Sequence, residues 1–359
     1  MGNRGANGAA NGVTSPPVGE LHEVDGRRLL LHKAGQGIPT AVFLAGGGAV
    51  GLDYLDIQQR VAAVTTSVLY DRGGTGWSDT VKLPRSLRQV TDELRDLLSS
   101  AGSGPPVLLV GHSLGGLYAR HYAQRFPDEV AGLLLLDPAH EDYDAYMPQQ
   151  LNEMRESGSA RERPFGSVIR PVVSFGKKQL GWLVSVVVPA ALRIGVTRSL
   201  LERVPPIRRY RELYRRLFAE LMSEWPEDVR QALIDRHVSL EWLWTGIQEV
   251  QNVSQLYDEV RDGGPMPDVP LIVLSSTEVD EFRRAVSAGQ PELLLRQEIE
   301  GKQRLYEAFA ESVPRGEVRL VDGGHFTLHF RSQDAILCAV QDLIVNASLV
   351  ERSLRRAPD

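Results

Sequence analysis

The chain is 359 residues long, with a formal net charge of −6 at pH 7 and 24% charged residues, values typical of a globular protein with a sizeable core. The acidic balance argues against a general nucleic-acid binder, which needs a basic surface. A single cysteine, Cys338, rules out a disulfide within the chain, and its apolar surroundings predict a buried thiol.

Both ends of the chain are predicted as tails. Residues 1–19 are rich in Gly, Asn and Ala and lack the apolar core of a secretory signal, and residues 350–359 follow the last predicted helix. The longest apolar stretch, Trp182–Leu192, is interrupted by Ser185 and Pro189 and is shorter than the roughly 20 residues that span a bilayer. We therefore expect a cytoplasmic protein without stable membrane insertion.

Apolar strands and amphipathic helices alternate after the first tail. A hairpin is predicted over residues 21–33, with its turn at Asp25-Gly26. Further strands are predicted at 41–44, 67–70, 106–110 and 130–136, and helices at 52–64, 87–98 and 116–123. Continuous apolar strands separated by helices predict a parallel sheet that is covered on both faces.

The alternation stops over residues 141–268, which are polar, Arg-rich and mostly helical in pattern. Tyr210, Leu213, Tyr214 and Leu217 form an apolar stripe at helical spacing. A segment of this length far exceeds an ordinary loop of about 15 residues, so we expect a helical lid inserted into the core domain. That core comprises residues 20–140 and 269–349, with strands predicted at 270–274 and 317–321 and helices at 292–310 and 333–345.

The pentapeptide Gly111-His112-Ser113-Leu114-Gly115 joins a predicted strand to a predicted helix. Small residues on both sides of Ser113 let the backbone turn tightly, and the turn lifts the serine hydroxyl above the sheet edge. The G-x-S-x-G pattern also occurs by chance, but its position between a strand and a helix favours a nucleophile elbow. Ser113 is therefore the predicted nucleophile.

A serine nucleophile needs a neighbouring base, and His325 is the best candidate among the eight histidines. It lies in a glycine-rich loop, Asp322-Gly323-Gly324-His325-Phe326, after the last predicted strand and at the same sheet edge as Ser113. His112 is too constrained within the elbow to serve its neighbour. A packing or surface role suits His329 better.

The base in turn needs a carboxylate that orients its ring, and two candidates fit the chain order. Asp137 ends the strand after the elbow helix, within Leu136-Asp137-Pro138-Ala139-His140, and Asp280 follows the next strand. Both strand ends can face the same crevice, so the sequence leaves the choice open, with Glu278 as a third candidate. We favour Asp137, because a residue directly at a strand end is rigidly placed.

An acyl-transfer site also needs backbone donors for an oxyanion. The N–H group of Leu114 is one predicted donor, and the loop Gly46-Gly47-Gly48, directly after a strand, can supply the other. It is not a phosphate loop, because no Gly-Lys-Ser/Thr follows it. No Cys/His cluster has the spacing of a metal site and no dinucleotide motif is present, so neither a metal nor a cofactor is predicted.

Four motifs in register resemble the α/β-hydrolase family, over roughly residues 21–349. Leu44–Gly48 is similar to the oxyanion loop of that family, with Ala45 where histidine is frequent. Tyr70–Asp79 is similar to its D-R-x-G-x-G-x-S turn, Gly111–Gly116 to its elbow, and Gly324-His325 to its base loop. The resemblance implies an α/β fold with a mostly parallel eight-stranded sheet and a helical lid inserted after strand 6.

The resemblance also implies roles for single residues: Ser113 as nucleophile, His325 as base, and Gly47 and Leu114 as oxyanion donors. Most members carry the acid after strand 7, usually as Gly-x-x-Asp. This chain departs from that pattern, because Ser276 stands in place of the glycine and Asp280 falls one residue late. Pancreatic-type lipases carry the acid after strand 6 in a Leu-Asp-Pro-Ala context, which Asp137 matches.

The sequence thus predicts a serine hydrolase that cleaves a carboxylic ester of a small molecule through an acyl-enzyme. Apolar residues around Trp182–Leu192 suggest a hydrophobic acyl or alcohol group, and they suit packing of the lid equally well. A C–C bond hydrolase, a cofactor-free perhydrolase or an acyltransferase needs the same triad, and a non-catalytic binding protein can share the fold. An aspartate-nucleophile epoxide hydrolase or dehalogenase is disfavoured, because Ser113 occupies the nucleophile position. The sequence carries no signal for the oligomeric state.

Overall fold

The computed structural model describes residues 15–157, 205–287 and 290–354. Within these ranges eight strands form one sheet: β1 (Glu20–Val24), β2 (Arg27–Ala34), β3 (Thr40–Leu44), β4 (Ser67–Tyr70), β5 (Val107–His112), β6 (Val130–Leu136), β7 (Leu271–Glu278) and β8 (Gly316–Gly324). Their order across the sheet is β1-β2-β4-β3-β5-β6-β7-β8. The β1–β2 and β2–β4 pairs are antiparallel and all the others are parallel. The prediction of a mostly parallel eight-stranded sheet is confirmed.

The described helices follow the strands in the predicted alternation. They are α1 (Leu55–Ala62), α2 (Leu87–Ser100), α3 (Leu114–Arg125), α4 (Tyr143–Tyr146), α5 (Gln149–Ser157), α6 (Pro205–Leu221), α7 (Glu227–His237), α8 (Leu240–Glu249), α9 (Val253–Asp262), α10 (Glu281–Val286), α11 (Glu292–Glu311), α12 (Leu328–Arg331) and α13 (Gln333–Leu354). None of them is both long and apolar enough to cross a membrane. Helices α4–α9 lie between β6 and β7 in the chain. The apolar stretch Trp182–Leu192 lies outside the described residues, so the lid itself stays a prediction.

Successive residues of the central strands contribute to two apolar layers, one on each face of the sheet. Val42 and Leu44 of β3 pack in one layer with α2, α3 and α11, whereas Ala41 and Phe43 pack in the other with α1 and α13. Every residue of β3 is therefore buried. Burial on both faces explains why these strands are continuous apolar runs rather than alternating ones.

Two predictions along the chain need correction. Helix α13 extends past the predicted end at residue 345 to Leu354, so it enters the segment that was predicted as a tail. Cys338 is exposed, and the prediction of a buried thiol is wrong. The reason is helical periodicity: Ile336, Ala339 and Val340 face the core, and Cys338 falls on the opposite side of α13.

The carboxyl ends of the parallel strands meet at one edge of the sheet. Ala45–Gly48, which we call the glycine loop, follows β3, and Ser113 follows β5. Asp137 follows β6, Asp280 follows β7, and His325 directly follows β8. The topology therefore gathers all the predicted site residues at a single edge.

Candidate active site

Ser113 lies at the corner between β5 and α3 with φ 51° and ψ −118°, a conformation that non-glycine residues rarely adopt. Its N–H group donates to the carbonyl of Leu136, and its own carbonyl accepts from two further backbone N–H groups. A Cβ atom on Gly115 would lie 2.0 Å from the carbonyl oxygen of Leu44. The corner thus holds a strained serine that backbone hydrogen bonds and close packing fix in place.

His325 and Asp137 are joined by a hydrogen bond, with 2.6 Å between His325 Nδ1 and Asp137 Oδ2. The Asp137 side chain is fully buried, whereas the His325 side chain is 15% exposed. A carboxylate accepts the proton on Nδ1, which leaves Nε2 as the basic nitrogen of His325. Ser113 and His325 line the same cavity. Ser113 Oγ makes no hydrogen bond to any described residue, His325 included. The hydrogen bond between a catalytic serine and its base is often long or misaligned before substrate binds.

Lys302 of α11 donates a hydrogen bond from Nζ to the same oxygen of Asp137, and Nζ lies 3.3 Å from Ser276 Oγ. Burial, the largest influence, would raise the pKa of Asp137. The Lys302 ammonium and the hydrogen bond from His325 outweigh it and hold the pKa of this carboxyl well below its usual range. Lys302 could not be predicted from the sequence, because nothing in the pattern of a charged helix singles it out.

Asp280 contacts the base loop through the backbone instead of through the imidazole. Its two carboxylate oxygens accept the N–H groups of Arg283 and Phe326, each at 2.7 Å. Burial raises the pKa of Asp280, and these two hydrogen bonds oppose the rise. Phe326 follows His325, so Asp280 supports the loop that carries the histidine. The structure brings Asp137, and not Asp280, to Nδ1 of His325.

Of the three glycine N–H groups in the glycine loop, two have acceptors among the described residues and one has none. The N–H of Gly46 donates to Tyr54 Oη at 3.4 Å and that of Gly48 to Glu249 Oε2 at 2.9 Å, whereas the N–H of Gly47 has no acceptor among the described residues. The N–H of Leu114 is the first of α3 and so lacks an acceptor within the helix. A Cβ atom built on Gly47 would lie 3.8 Å from Leu114 Cβ, so the two predicted donor residues are neighbours.

Arg72 and Glu249 form a buried ion pair beside the glycine loop, with exposed fractions of 2% and 4%. Arg72 donates to the carbonyl oxygens of Ala45 at 2.6 Å and Gly46 at 2.9 Å, and its Nε donates to Glu249 Oε1 at 3.0 Å. Arg72 can be found in the sequence, because it occupies the arginine position of the D-R-x-G-x-G-x-S turn. The sequence gives no sign of its partner, because Glu249 lies 177 positions further along the chain.

His112 links the elbow to the base loop. Its Nε2 lies 2.9 Å from the carbonyl oxygen of His325, and its Nδ1 lies 2.6 Å from Tyr54 Oη. A carbonyl can only accept, so Nε2 carries the proton and the Tyr54 hydroxyl donates to Nδ1. Burial lowers the pKa of His112 to about 3, which keeps the ring neutral. His112 is constrained within the elbow and was not predicted to link it to the base loop; its place at a buried strand end was the available signal for this role.

The cavity at Ser113 opens to solvent, and together with the open space at its mouth it has a volume of about 870 Å³. Its aromatic lining comprises Tyr214, Phe218, Trp242, Phe282, Phe326 and Phe330. A second buried pair, His237 and Asp53, lies in its wall, with 2.6 Å between His237 Nε2 and Asp53 Oδ1. The cavity therefore combines an apolar aromatic surface with a few polar groups, a pattern typical of small-molecule sites.

Among the described residues, one group of side chains has the spacing of metal ligands: His140, Glu141 and Asp142, whose ligand atoms lie within 4.8 Å of one another. Both carboxylate oxygens of Glu141 already accept hydrogen bonds from Arg120, each at 2.7 Å. A cation would have to compete with that guanidinium. We therefore assign no metal to this group.

Comparison with known proteins agrees with this architecture. A family model described as "Alpha/beta hydrolase family" matches residues 41–339. The structure is similar to a variant of a proposed epoxide hydrolase from Pseudomonas aeruginosa, with a TM-score of 0.60, 16% identity, and coverage of 92% of this chain and 95% of that one. It is also similar to an enol-lactonase from Burkholderia xenovorans LB400, with a TM-score of 0.51, 18% identity, and coverage of 91% and 100%. At these identities the likeness shows the fold alone.

Curated relatives are matched over shorter segments. The chain is 26% identical to YbdG, an uncharacterized protein of Bacillus subtilis (strain 168), over 159 residues, which are 44% of this chain and 47% of YbdG. The chain spans about half or less of the length of the curated relatives it matches.

Proposed function

Because the chain belongs to the α/β hydrolase family, we propose that it is a serine hydrolase that cleaves a carboxylic ester of a small molecule. One observation carries the proposal. The strained Ser113 and His325, whose Nδ1 is hydrogen-bonded to the buried Asp137, border the same cavity. A nucleophile, a base and an acid that orients the base are the three groups that acyl transfer through serine requires.

In the proposed reaction, Ser113 Oγ attacks the ester carbonyl while Nε2 of His325 takes its proton. Asp137 holds the imidazole in the tautomer with a proton on Nδ1, and its charge stabilises the imidazolium that forms. The depressed pKa of Asp137 keeps this carboxylate ionised throughout the neutral range. His325 then gives the proton to the leaving alcohol, and an acyl-enzyme on Ser113 remains.

The negative charge that develops on the carbonyl oxygen is stabilised by the N–H groups of Gly47 and Leu114. The N–H of Gly47 has no acceptor among the described residues, the N–H of Leu114 has none within its helix, and the two residues are neighbours. Donors that are fixed in place before the reaction stabilise such a charge without reorganisation. In the second half of the reaction, water activated by His325 attacks the acyl-enzyme and releases the acid.

The proposed substrate is an ester with a hydrophobic acyl or alcohol part. The aromatic lining of the cavity supports this proposal, because burial of an apolar group against such side chains contributes binding free energy. The segment of residues 141–268 is proposed to act as a lid that sets substrate choice and excludes water. Its helices α6 and α8 supply Tyr214, Phe218 and Trp242 to the cavity wall.

The test is hydrolysis of p-nitrophenyl esters from acetyl to palmitoyl, with wild type and Ser113→Ala compared side by side, together with labelling by a fluorophosphonate. Ser275→Ala is a matched control, because Ser275 is also buried and its hydroxyl also lacks a partner among the described residues. We expect Ser113→Ala to lose both turnover and label while folding normally, and Ser275→Ala to keep both.

Unchanged hydrolysis by Ser113→Ala would contradict the mechanism. Labelling of Ser113 without hydrolysis of any ester would instead favour a C–C bond hydrolase or an acyltransferase with the same triad. Absence of both label and turnover in the wild type would favour a binding protein on this fold.

A further inference from the structure

The peptide unit between Gly46 and Gly47 is held from one side by a charged side chain. Its carbonyl oxygen, on Gly46, accepts a hydrogen bond from Arg72 Nη2 at 2.9 Å. A trans peptide is planar, and its C=O and N–H bonds point in opposite directions. The contact with Arg72 therefore fixes the direction of the Gly47 N–H group, which points away from the guanidinium.

The next peptide unit is held by the partner of Arg72. Glu249 Oε2 accepts the N–H of Gly48 at 2.9 Å, and Glu249 Oε1 accepts from Arg72. In the peptide unit after that, between Gly48 and Ala49, the carbonyl oxygen of Gly48 accepts a hydrogen bond from Trp242 Nε1. Both peptide units that flank the Cα atom of Gly47 are thus tied to one buried ion pair, in a loop whose glycines would otherwise be conformationally free.

Burial makes this arrangement rigid. Arg72 and Glu249 are almost inaccessible to solvent, so each charge depends on the other and on the loop for its hydrogen bonds. Arg72 also lies against the ring of Tyr118, with its Cζ atom 5.3 Å from the ring centroid. The guanidinium therefore has charged, polar and aromatic neighbours that determine a single position.

We propose that Arg72 and Glu249 are positioning residues that aim the Gly47 N–H group at the developing oxyanion. The proposal rests on the proposed function, in which this group stabilises the tetrahedral intermediate. Neither side chain needs to touch the substrate. Glu249 belongs to the segment between β6 and β7, so two distant parts of the chain jointly shape the glycine loop.

The test compares Glu249→Gln with Glu141→Gln. Glu141 is a matched control, because it also forms a buried ion pair with an arginine, Arg120, but has no contact with the glycine loop among its hydrogen bonds. Four quantities are measured for each variant: kcat and KM on a p-nitrophenyl ester, Tm, and Kd for phenylboronic acid, which forms a tetrahedral adduct on the nucleophilic serine.

We expect Glu249→Gln to lower kcat by about 10²-fold and to weaken boronic-acid binding by a similar factor, with KM nearly unchanged, because an oxyanion donor acts mainly in the transition state. Glu141→Gln should lower Tm to a similar extent without these losses. Equal effects of the two variants on kcat and on boronic-acid binding would overturn the proposal.

A double variant tests the proposal independently in case Glu249→Gln does not fold. Arg72→Met with Glu249→Met removes both charges together, a change that buried ion pairs often tolerate. It should fold and still lose boronic-acid affinity, and retained affinity in the folded double variant would overturn the proposal. Failure of the proposed function would be visible earlier and separately, because the wild type itself would then not hydrolyse the ester, whereas failure of the present proposal leaves the wild type active.

Discussion

The ammonium group of Lys302 donates a hydrogen bond to the carboxylate of Asp137, on the same oxygen that accepts from His325. Asp137 is thus a buried anion whose partners are the Lys302 ammonium and the Nδ1 atom of His325. This relationship explains how a fully buried carboxyl keeps its charge, because desolvation alone would favour the protonated form. The two aspartates at this sheet edge differ in this respect, because Asp137 is held by two side chains and Asp280 by two backbone N–H groups.

The first prediction concerns these two aspartates. Asp137→Asn should lower kcat by about 10³- to 10⁴-fold, because the amide cannot stabilise the imidazolium of His325 and favours the wrong tautomer. Asp280→Asn should cost only about 10-fold, because it disturbs the loop of His325 without removing the partner of its Nδ1. Steady-state kinetics on one p-nitrophenyl ester measure both losses. A loss for Asp280→Asn as large as that for Asp137→Asn would mean that Asp280 is the acid.

The second prediction concerns stability and pH. The pKa of Asp137 lies below its usual value of 3.8, so its ionisation stabilises the fold above about pH 4 and this contribution is lost as the pH falls further. Lys302→Met leaves the buried anion without its cation and should lower the free energy of unfolding by about 3–5 kcal/mol at pH 7. Removal of the ammonium raises the pKa of Asp137 above its wild-type value, so the folded variant takes up a proton at higher pH than the folded wild type does, and the deficit should shrink as the pH falls.

Urea unfolding of wild type and Lys302→Met at several pH values measures this deficit. Lys82→Met is a suitable control, because Lys82 is exposed and the change removes the same charge. The control should differ little from wild type at every pH. A deficit for Lys302→Met that is independent of pH, or that grows on acidification, would contradict the proposed charge balance.

The third prediction concerns the elbow. Gly115→Ala should lower the free energy of unfolding by about 3 kcal/mol or more, because its Cβ atom would lie 2.0 Å from the backbone oxygen of Leu44. Gly104→Ala is the matched control, because no heavy atom lies within 4 Å of a Cβ atom there. Its effect should stay within about 1 kcal/mol of zero. Chemical unfolding of both variants decides the matter, and a tolerated Gly115→Ala would show that α3 can move away from β3.

Periodicity and motifs predicted most of the fold. Continuous apolar strands between amphipathic helices indicated a covered parallel sheet, and the observed strands and helices follow those patterns closely. Ser113 and His325 could be found as well, because a G-x-S-x-G corner and a histidine in a glycine-rich loop after the last strand are local patterns. Local patterns are sufficient to predict a residue's role where the backbone conformation permits only certain residue types. Beside Ser113 only glycine fits, because a Cβ atom on Gly115 would clash with the backbone of β3.

The sequence by itself therefore determined the sheet, its edge and the elbow, but left two carboxylates as partners for His325. Only the tertiary structure decided which of them contacts Nδ1, and only it joined Lys302 to Asp137 and Glu249 to Arg72. These partners are 165 and 177 positions apart in the chain. Such contacts depend on the placement of the helices against the sheet to within an ångström or so. A buried charge pairs with an opposite charge that lies next to it in space, and no local periodicity of the sequence encodes that proximity.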